Sequence, residues 1–294
     1  AGHNYEWPRG SMDAAKATLA RLGGEAVGEF YLPWEFSDAE LDQLLVRLER
    51  TGADVFVPYF AGADQIRMLT RLHALGLNDK IAVVMGHFDE VMAAQLRPEV
   101  RQGLFSCNTY FMTLPGEDNQ AFLRNLAKLP GIAGLWPHGN GVATNFGAGT
   151  HVCVLAFAQA AERAACTESA ALVEALERAR VRGPYGWVTM DAATHHAHVN
   201  TSLARCRADG SFELLEHFGC QAPEIPARYR QTRAPIAIHT GRLPAMPHAL
   251  PADELARSVA NHCHAALIAC DELGRIVSAN AGAHALFAYP HGDL

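Results

Sequence analysis

The chain has no excess of positive charge. Its 24 Lys and Arg stand against 31 Asp and Glu, a formal net charge of −7 over 294 residues, which leaves no argument for nucleic acid or an anionic membrane surface as partner. No RRM-like, finger-like or basic-region pattern occurs either. Long apolar runs are also missing. The longest, "HVCVLAFAQAAERAAC", is interrupted by Gln159, Glu162 and Arg163 and is too short and polar to span a bilayer. The seven cysteines (Cys107, Cys153, Cys166, Cys206, Cys220, Cys263 and Cys270) include no CxxC pair, and their number is odd. That argues against a disulfide framework and for reduced, buried thiols in a reducing compartment. Enzyme signatures are absent too: there is no G-x-S-x-G, H-E-x-x-H or kinase set. Carboxylate pairs such as Asp38/Glu40 and Glu117/Asp118 fall at helix starts, where the helix dipole accounts for them.

What remains is an ordinary globular composition, 49% apolar and 19% charged, able to bury a core. Strand-like and helix-like segments alternate over the first 220 residues, the pattern of an α/β layered domain. "MDAAKATLARLG" predicts a helix stopped by Gly23-Gly24, and "EAVGEFYLP" a strand. "SDAELDQLLVRLERTG" predicts a helix capped by Ser37 and closed by Gly52. "DVFVPYF", "KIAVVMG" and "GLFSCNTYF" read as strands, separated by the helices "ADQIRMLTRLHALG" and "EVMAAQL". Three helices follow, "EDNQAFLRNLAK", "THVCVLAFAQAAERA" and "SAALVEALERAR", the first two separated by the Gly-rich "HGNGVATNFGAG". That stretch lacks the Gly-Lys-Ser/Thr of a phosphate loop and does not fit G-x-G-x-x-G. After Gly183-Pro184 the period becomes two, with Asp209-Gly210 marking a hairpin. Residues 221–250 carry five prolines and four arginines with no clear periodicity and read as a linker. Residues 251–294 open a new unit: a helix, the strand "AALIACD", a turn at Leu273-Gly274, the strand "RIVSAN" and a short helix, "AGAHALFAY".

Two resemblances are carried by these segments. The ordered series "GHNYEWPRGSMDAAK", "GGEAVGEFYLPW", "TGADVFVPYFAGAD", "NTYFMTL…EDNQAFLRNL" and "GPYGWVTMDAATHHAHVNTSLARCRADGSFELLEHFG" resembles type I periplasmic-binding-protein-like receptors, in particular the short-chain amide- and urea-binding branch. "AALIACDELGRIVSANAGAHALFAY" resembles the opening of a PAS domain. The fold these imply is α/β and two-lobed, with three-layer α/β/α lobes of which the first is incomplete, plus a truncated α+β PAS-like segment. The implied organisation is a ligand-sensing domain over 1–220 lacking its first half-lobe, a Pro/Arg-rich linker over 221–250 and the N-terminal part of a PAS domain over 251–294.

The resemblance also directs attention to particular residues. From pattern alone Tyr5 and Trp7 could be core or cleft wall. The resemblance sets them on a loop at the carboxyl edge of the sheet, where open α/β sheets bind ligands, and aromatic rings supply an apolar face with a polar handle. Tyr59, Phe60 and Gly62 follow one buried strand, His87, Phe88 and Asp89 another, and Tyr110 closes a third. All are candidate ligand contacts, Gly62 by letting backbone approach the ligand. His195, His196 and His198, and His262, Cys263 and His264, are clusters that could hold a metal only with further ligands from elsewhere. No metal or cofactor is assigned to either.

The expected function is a sensor for a small neutral or zwitterionic ligand such as a short-chain amide, urea or a branched-chain amino acid. It would signal by lobe closure through PAS to a downstream domain of the same chain, in the cytoplasm and in a homodimer. The alternative is the substrate-binding component of an ABC-type uptake system, periplasmic if a signal peptide lies upstream. A third, a metal-dependent hydrolase, would use the His195/His196/His198 cluster.

Overall fold

The computed structural model describes residues 1–129, 143–166 and 168–225, together with two short strands at 268–270 and 276–279. The chain divides into two units, Ala1–Arg233 and Ala234–Leu294.

In the first unit, β1 (Gly2–His3) leads into α1 (Glu6–Arg21), β2 (Tyr31–Leu32), α2 (Asp38–Thr51), β3 (Val55–Phe56), α3 (Ala63–Ala74) and β4 (Ala82–Met85). Then come α4 (Glu90–Ala94), α5 (Pro98–Arg101), β5 (Phe105–Asn108), α6 (Glu117–Leu126), α7 (Asn145–Ala164) and α8 (Ser169–Glu177). The strands β6 (Arg180–Gly183), β7 (Gly186–Asp191), β8 (His196–Cys206) and β9 (Phe212–Gln221) close it.

The helices follow from local chemistry. Ser37 and Glu40 form a reciprocal capping box at α2, and Gly52 ends the helix in the left-handed region at φ 64°. Leu41, Leu44, Leu45 and Leu48 recur at helical spacing and are its buried face. Met68, Leu69 and Leu72 do the same for α3. Thr144 caps α7 by accepting the Gly147 N–H at 2.7 Å, so this helix begins inside the Gly-rich stretch rather than after it.

β3, β4 and β5 are parallel neighbours. β1 pairs in parallel with β2 and bridges through Gly2 to Tyr59, just beyond β3. The parallel layer therefore runs β2-β1-β3-β4-β5, and every strand in it presents its carboxyl end at one edge. β8 joins β5 antiparallel and also pairs with β7 and β9. The core packs α2 and α3 leucines against Val83, Met85, Phe88, Phe111 and Phe212.

Several expectations are corrected. The strand expected over 25–33 is reduced to Tyr31–Leu32. β3 stops at Phe56, close before Pro58, which has no N–H to donate to a ladder. Trp7 does not lie on a loop: α1 starts at Glu6, and Pro8 is tolerated in its first turn because that N–H needs no partner there. The helix expected to reach Arg180 ends at Glu177, and Arg180 opens β6. The buried-thiol expectation fails for Cys153, Cys166 and Cys220, which are exposed on α7, just past its end and on the outer strand β9; Cys206 is buried.

In the second unit, β10 (Ile268–Cys270) pairs antiparallel with β11 (Ile276–Ala279), both within segments that the sequence reads as strands; the turn expected at Leu273-Gly274 lies outside the described residues. The 226–250 part of the linker, the helical parts of the PAS-like segment, the cluster His262, Cys263 and His264, and the Gly-rich residues 138–142 lie outside the described residues.

Candidate functional site

The carboxyl edge of the parallel layer gathers aromatic side chains from five segments. Tyr5 and Trp7 follow β1, Trp34 follows β2, Tyr59 follows β3, His87 follows β4, and Phe146 stands at the start of α7. The rings touch in series. Trp34 lies 5.2 Å from Tyr5, Tyr5 6.3 Å from Trp7, and Trp7 6.0 Å from His87, which is 4.4 Å from Phe146. Tyr59 meets Trp7 edge to face at 5.1 Å. Tyr5, Trp7, Tyr59 and His87 are half-buried, while Trp34 and Phe146 are exposed. The result is an aromatic rim with a mostly apolar face and a few polar handles.

Buried polar groups fix the rim. The Gln65 amide of α3 donates to the His87 carbonyl at 2.7 Å. Ser106 Oγ and Asn108 Nδ2 of β5 both donate to the Phe88 carbonyl, at 2.6 and 3.1 Å. Asp89 caps α4 through the Val91 and Met92 N–H groups and also accepts the Asn145 N–H at 3.0 Å. Thr109 Oγ1 donates to Asn145 Oδ1 at 2.6 Å. These bonds tie the first turn of α7 to the β4 and β5 loops and hold Phe146 against His87. Beneath Trp34, His3 is fully buried. It accepts the Ala61 N–H at Nδ1, which leaves Nε2 to donate to Asp64 at 2.9 Å. Trp34 stacks on that imidazole at 4.1 Å. The adjoining Glu35 holds φ 61°, a left-handed conformation that costs a non-glycine residue energy.

Burial governs the electrostatics of the rim. It raises the pKa of the Tyr5 and Tyr59 phenols, and it lowers that of His87 against a smaller opposing pull from Asp89. At neutral pH the rim is therefore uncharged. Such a surface offers stacking faces and a few hydrogen-bonding groups.

The structure separates the nine residues proposed from sequence. It brings Tyr5, Trp7, Tyr59 and His87 together. Phe60, Phe88 and Tyr110 are fully buried and belong to the core: Phe60 packs on His3 and Phe36, Phe88 on Phe212, and Tyr110 donates to Asn119. Their rings alternate inward from neighbours that face the edge. The Asp89 carboxylate is consumed by helix caps. Gly62 is explained by its φ of 58° at the N-cap of α3, since a Cβ there would meet nothing within 4 Å. Close approach occurs instead at Gly86, where a Cβ would lie 2.9 Å from the Tyr59 ring. Sequence reasoning missed His3, Trp34, Gly86 and Phe146. For Trp34 the signal was available, because it follows a strand by the same rule as Tyr5.

The histidine cluster does not assemble. His195 bonds Glu177, His196 turns to the Thr194 carbonyl, and His198 lies 3.7 Å from Asp191. Among the described residues no group of three or more potential metal ligands occurs, and none of their helices is long and apolar enough to cross a membrane. A cavity of about 470 Å³, lined by Leu114, Tyr185, Ser202 and His217 among others, shares no residue with the rim.

Comparison with known proteins agrees with this architecture. An ABC-transporter solute-binding protein of Rhodopseudomonas palustris HaA2, solved with p-hydroxybenzoic acid, is 20% identical with a TM-score of 0.63; the match covers 75% of this chain and 60% of that one. A second R. palustris solute-binding protein, solved with benzoate, is 19% identical with a TM-score of 0.63, covering 76% and 59%. The leucine-, isoleucine-, valine-, threonine- and alanine-binding protein of Brucella ovis is 15% identical with a TM-score of 0.61, covering 76% and 58%. The chain thus spans about three fifths of the length of these structures, and at such identities the likeness is one of fold. Residues 1–211 match the family described as periplasmic binding protein, and the chain belongs to that family.

Proposed function

We propose that this chain serves as the solute-binding component of an ABC-type uptake system, and that its solute rests against the rim of Tyr5, Trp7, Trp34, Tyr59, His87 and Phe146. The observation that carries the reading is the unbroken series of ring contacts at the carboxyl edge of the parallel layer, where open sheets bind ligands. Support comes from the two R. palustris proteins, which are ABC-transporter solute-binding proteins solved with p-hydroxybenzoic acid and benzoate. The reading sets the chain in the periplasm rather than in the cytoplasm suggested by its cysteines. An uncharged aromatic wall suits a small ligand with an apolar or planar body, and short amides and branched-chain amino acids stay among the solutes to be tried. The proposed boundaries remain a binding domain over 1–220, a linker over 221–250 and a further module from 251. A PAS identity for that module rests on its sequence, two stretches of which pair as the antiparallel strands β10 and β11.

A thermal-shift screen of the full chain tests the function, using benzoate, 4-hydroxybenzoate, benzamide, leucine, acetamide and urea. A solute present at 100 times its Kd should stabilise the fold by about 2.7 kcal/mol. Saturable stabilisation by one solute is expected, and stabilisation by none would overturn the reading.

A further inference from the structure

His87 is a rim residue with a ring nitrogen that the fold leaves unpaired. Its Nδ1 is buried and has no hydrogen-bond partner. Its ring stands between Trp7 at 6.0 Å and Phe146 at 4.4 Å, and its backbone is fixed by Gln65. The doubly protonated ring would bury an Nδ1–H with no acceptor. The tautomer that avoids this leaves Nδ1 bare and carries the proton on Nε2. An imidazole so held is a fixed, uncharged donor between two aromatic walls.

We propose that His87 is the specificity-determining polar contact of the rim, donating from Nε2 to an uncharged acceptor oxygen, a carbonyl or hydroxyl, on a planar solute seated between Trp7 and Phe146. This rests on the solute-binding reading above. The charges around the ring agree with it: Trp7 and Phe146 bring none, the Tyr59 phenol is kept protonated by burial, and Asp89 on the same loop opposes the effect of burial without reversing it. A bound solute buries the ring further, so the complex disfavours the imidazolium more than the free protein does. The imidazolium would also donate from Nε2, but its Nδ1–H stays buried with no acceptor, so a neutral solute that buries the ring further should bind more weakly on acidification.

The test is calorimetric titration of the full chain with benzamide between pH 5.5 and 8. The wild type should bind more weakly towards the acid end. His87→Gln keeps a donor and cannot titrate, so it should bind within about threefold of wild type at pH 8 with a flat profile. His87→Phe should lose about tenfold, the worth of one hydrogen bond. The proposal is overturned by His87→Phe binding as wild type does, or by His87→Gln keeping the acid fall-off. A wild type that binds leucine or acetamide but not benzamide overturns it while the solute-binding reading stands. Binding of none of the screened solutes overturns both.

Discussion

Glu90, in the first turn of α4, offers a perturbation whose size can be worked from the structure. The residue is 2% exposed. Its Oε1 accepts the Met112 N–H at 2.7 Å, whereas Oε2 is buried without a partner. Burial pushes its pKa up to about 8, against about 4.3 for an unfolded chain. Between those values the folded state holds a proton that the unfolded state has released. The associated stability is therefore fully present below about pH 4 and is lost as pH rises towards 8, at up to about 1.4 kcal/mol per pH unit. Glu90→Gln is neutral at every pH and removes this dependence. Relative to wild type, the variant should gain about 2–4 kcal/mol between pH 5 and pH 8. Urea unfolding followed by circular dichroism at several pH values reads this directly, provided the m-values agree. Parallel stability curves for the two proteins would refute the argument, because they would mean that Glu90 titrates alike folded and unfolded.

Other consequences are simpler to measure. Gly86→Ala sets a methyl 2.9 Å from the Tyr59 ring and should cost about 1–3 kcal/mol by overpacking, with a shift in tryptophan fluorescence as Trp7 follows Tyr59. Ser37→Ala removes one half of the α2 capping box and should lower stability by about 1 kcal/mol in denaturant titration. A maleimide should label Cys153, Cys166 and Cys220 in the native protein and spare Cys206, which is buried with a thiol pushed up to about 12; mass mapping reads the pattern.

Much of the fold was legible because its punctuation is local. Ser37, Glu40 and Gly52 bound α2 by hydrogen bonds made within a few residues, and the strand-helix alternation led to the parallel layer. The strand at 25–33 was not legible. Its β-like composition says nothing about the length of its partner: β1 spans only Gly2–His3, so only Tyr31–Leu32 is paired. At the candidate site, the loops that follow the strands were legible, but the strand ends and the side-chain directions were not. Tyr59 and Phe60, or His87 and Phe88, are adjacent in sequence, yet in each pair the phenylalanine turns into the core. Phe146 was beyond reach because its place depends on Asp89 and Thr109 drawing the start of α7 to the sheet edge.

The central claim is that the carboxyl-edge rim binds the solute, and the dissociation constant of whichever screened solute stabilises the chain, measured for wild type and for Trp7→Ala, tests it most directly. Trp7 touches Tyr5, Tyr59 and His87, so its loss should weaken binding at least about tenfold while the circular dichroism spectrum is unchanged. Equal affinities in the two proteins would show that the solute binds elsewhere and would contradict the account.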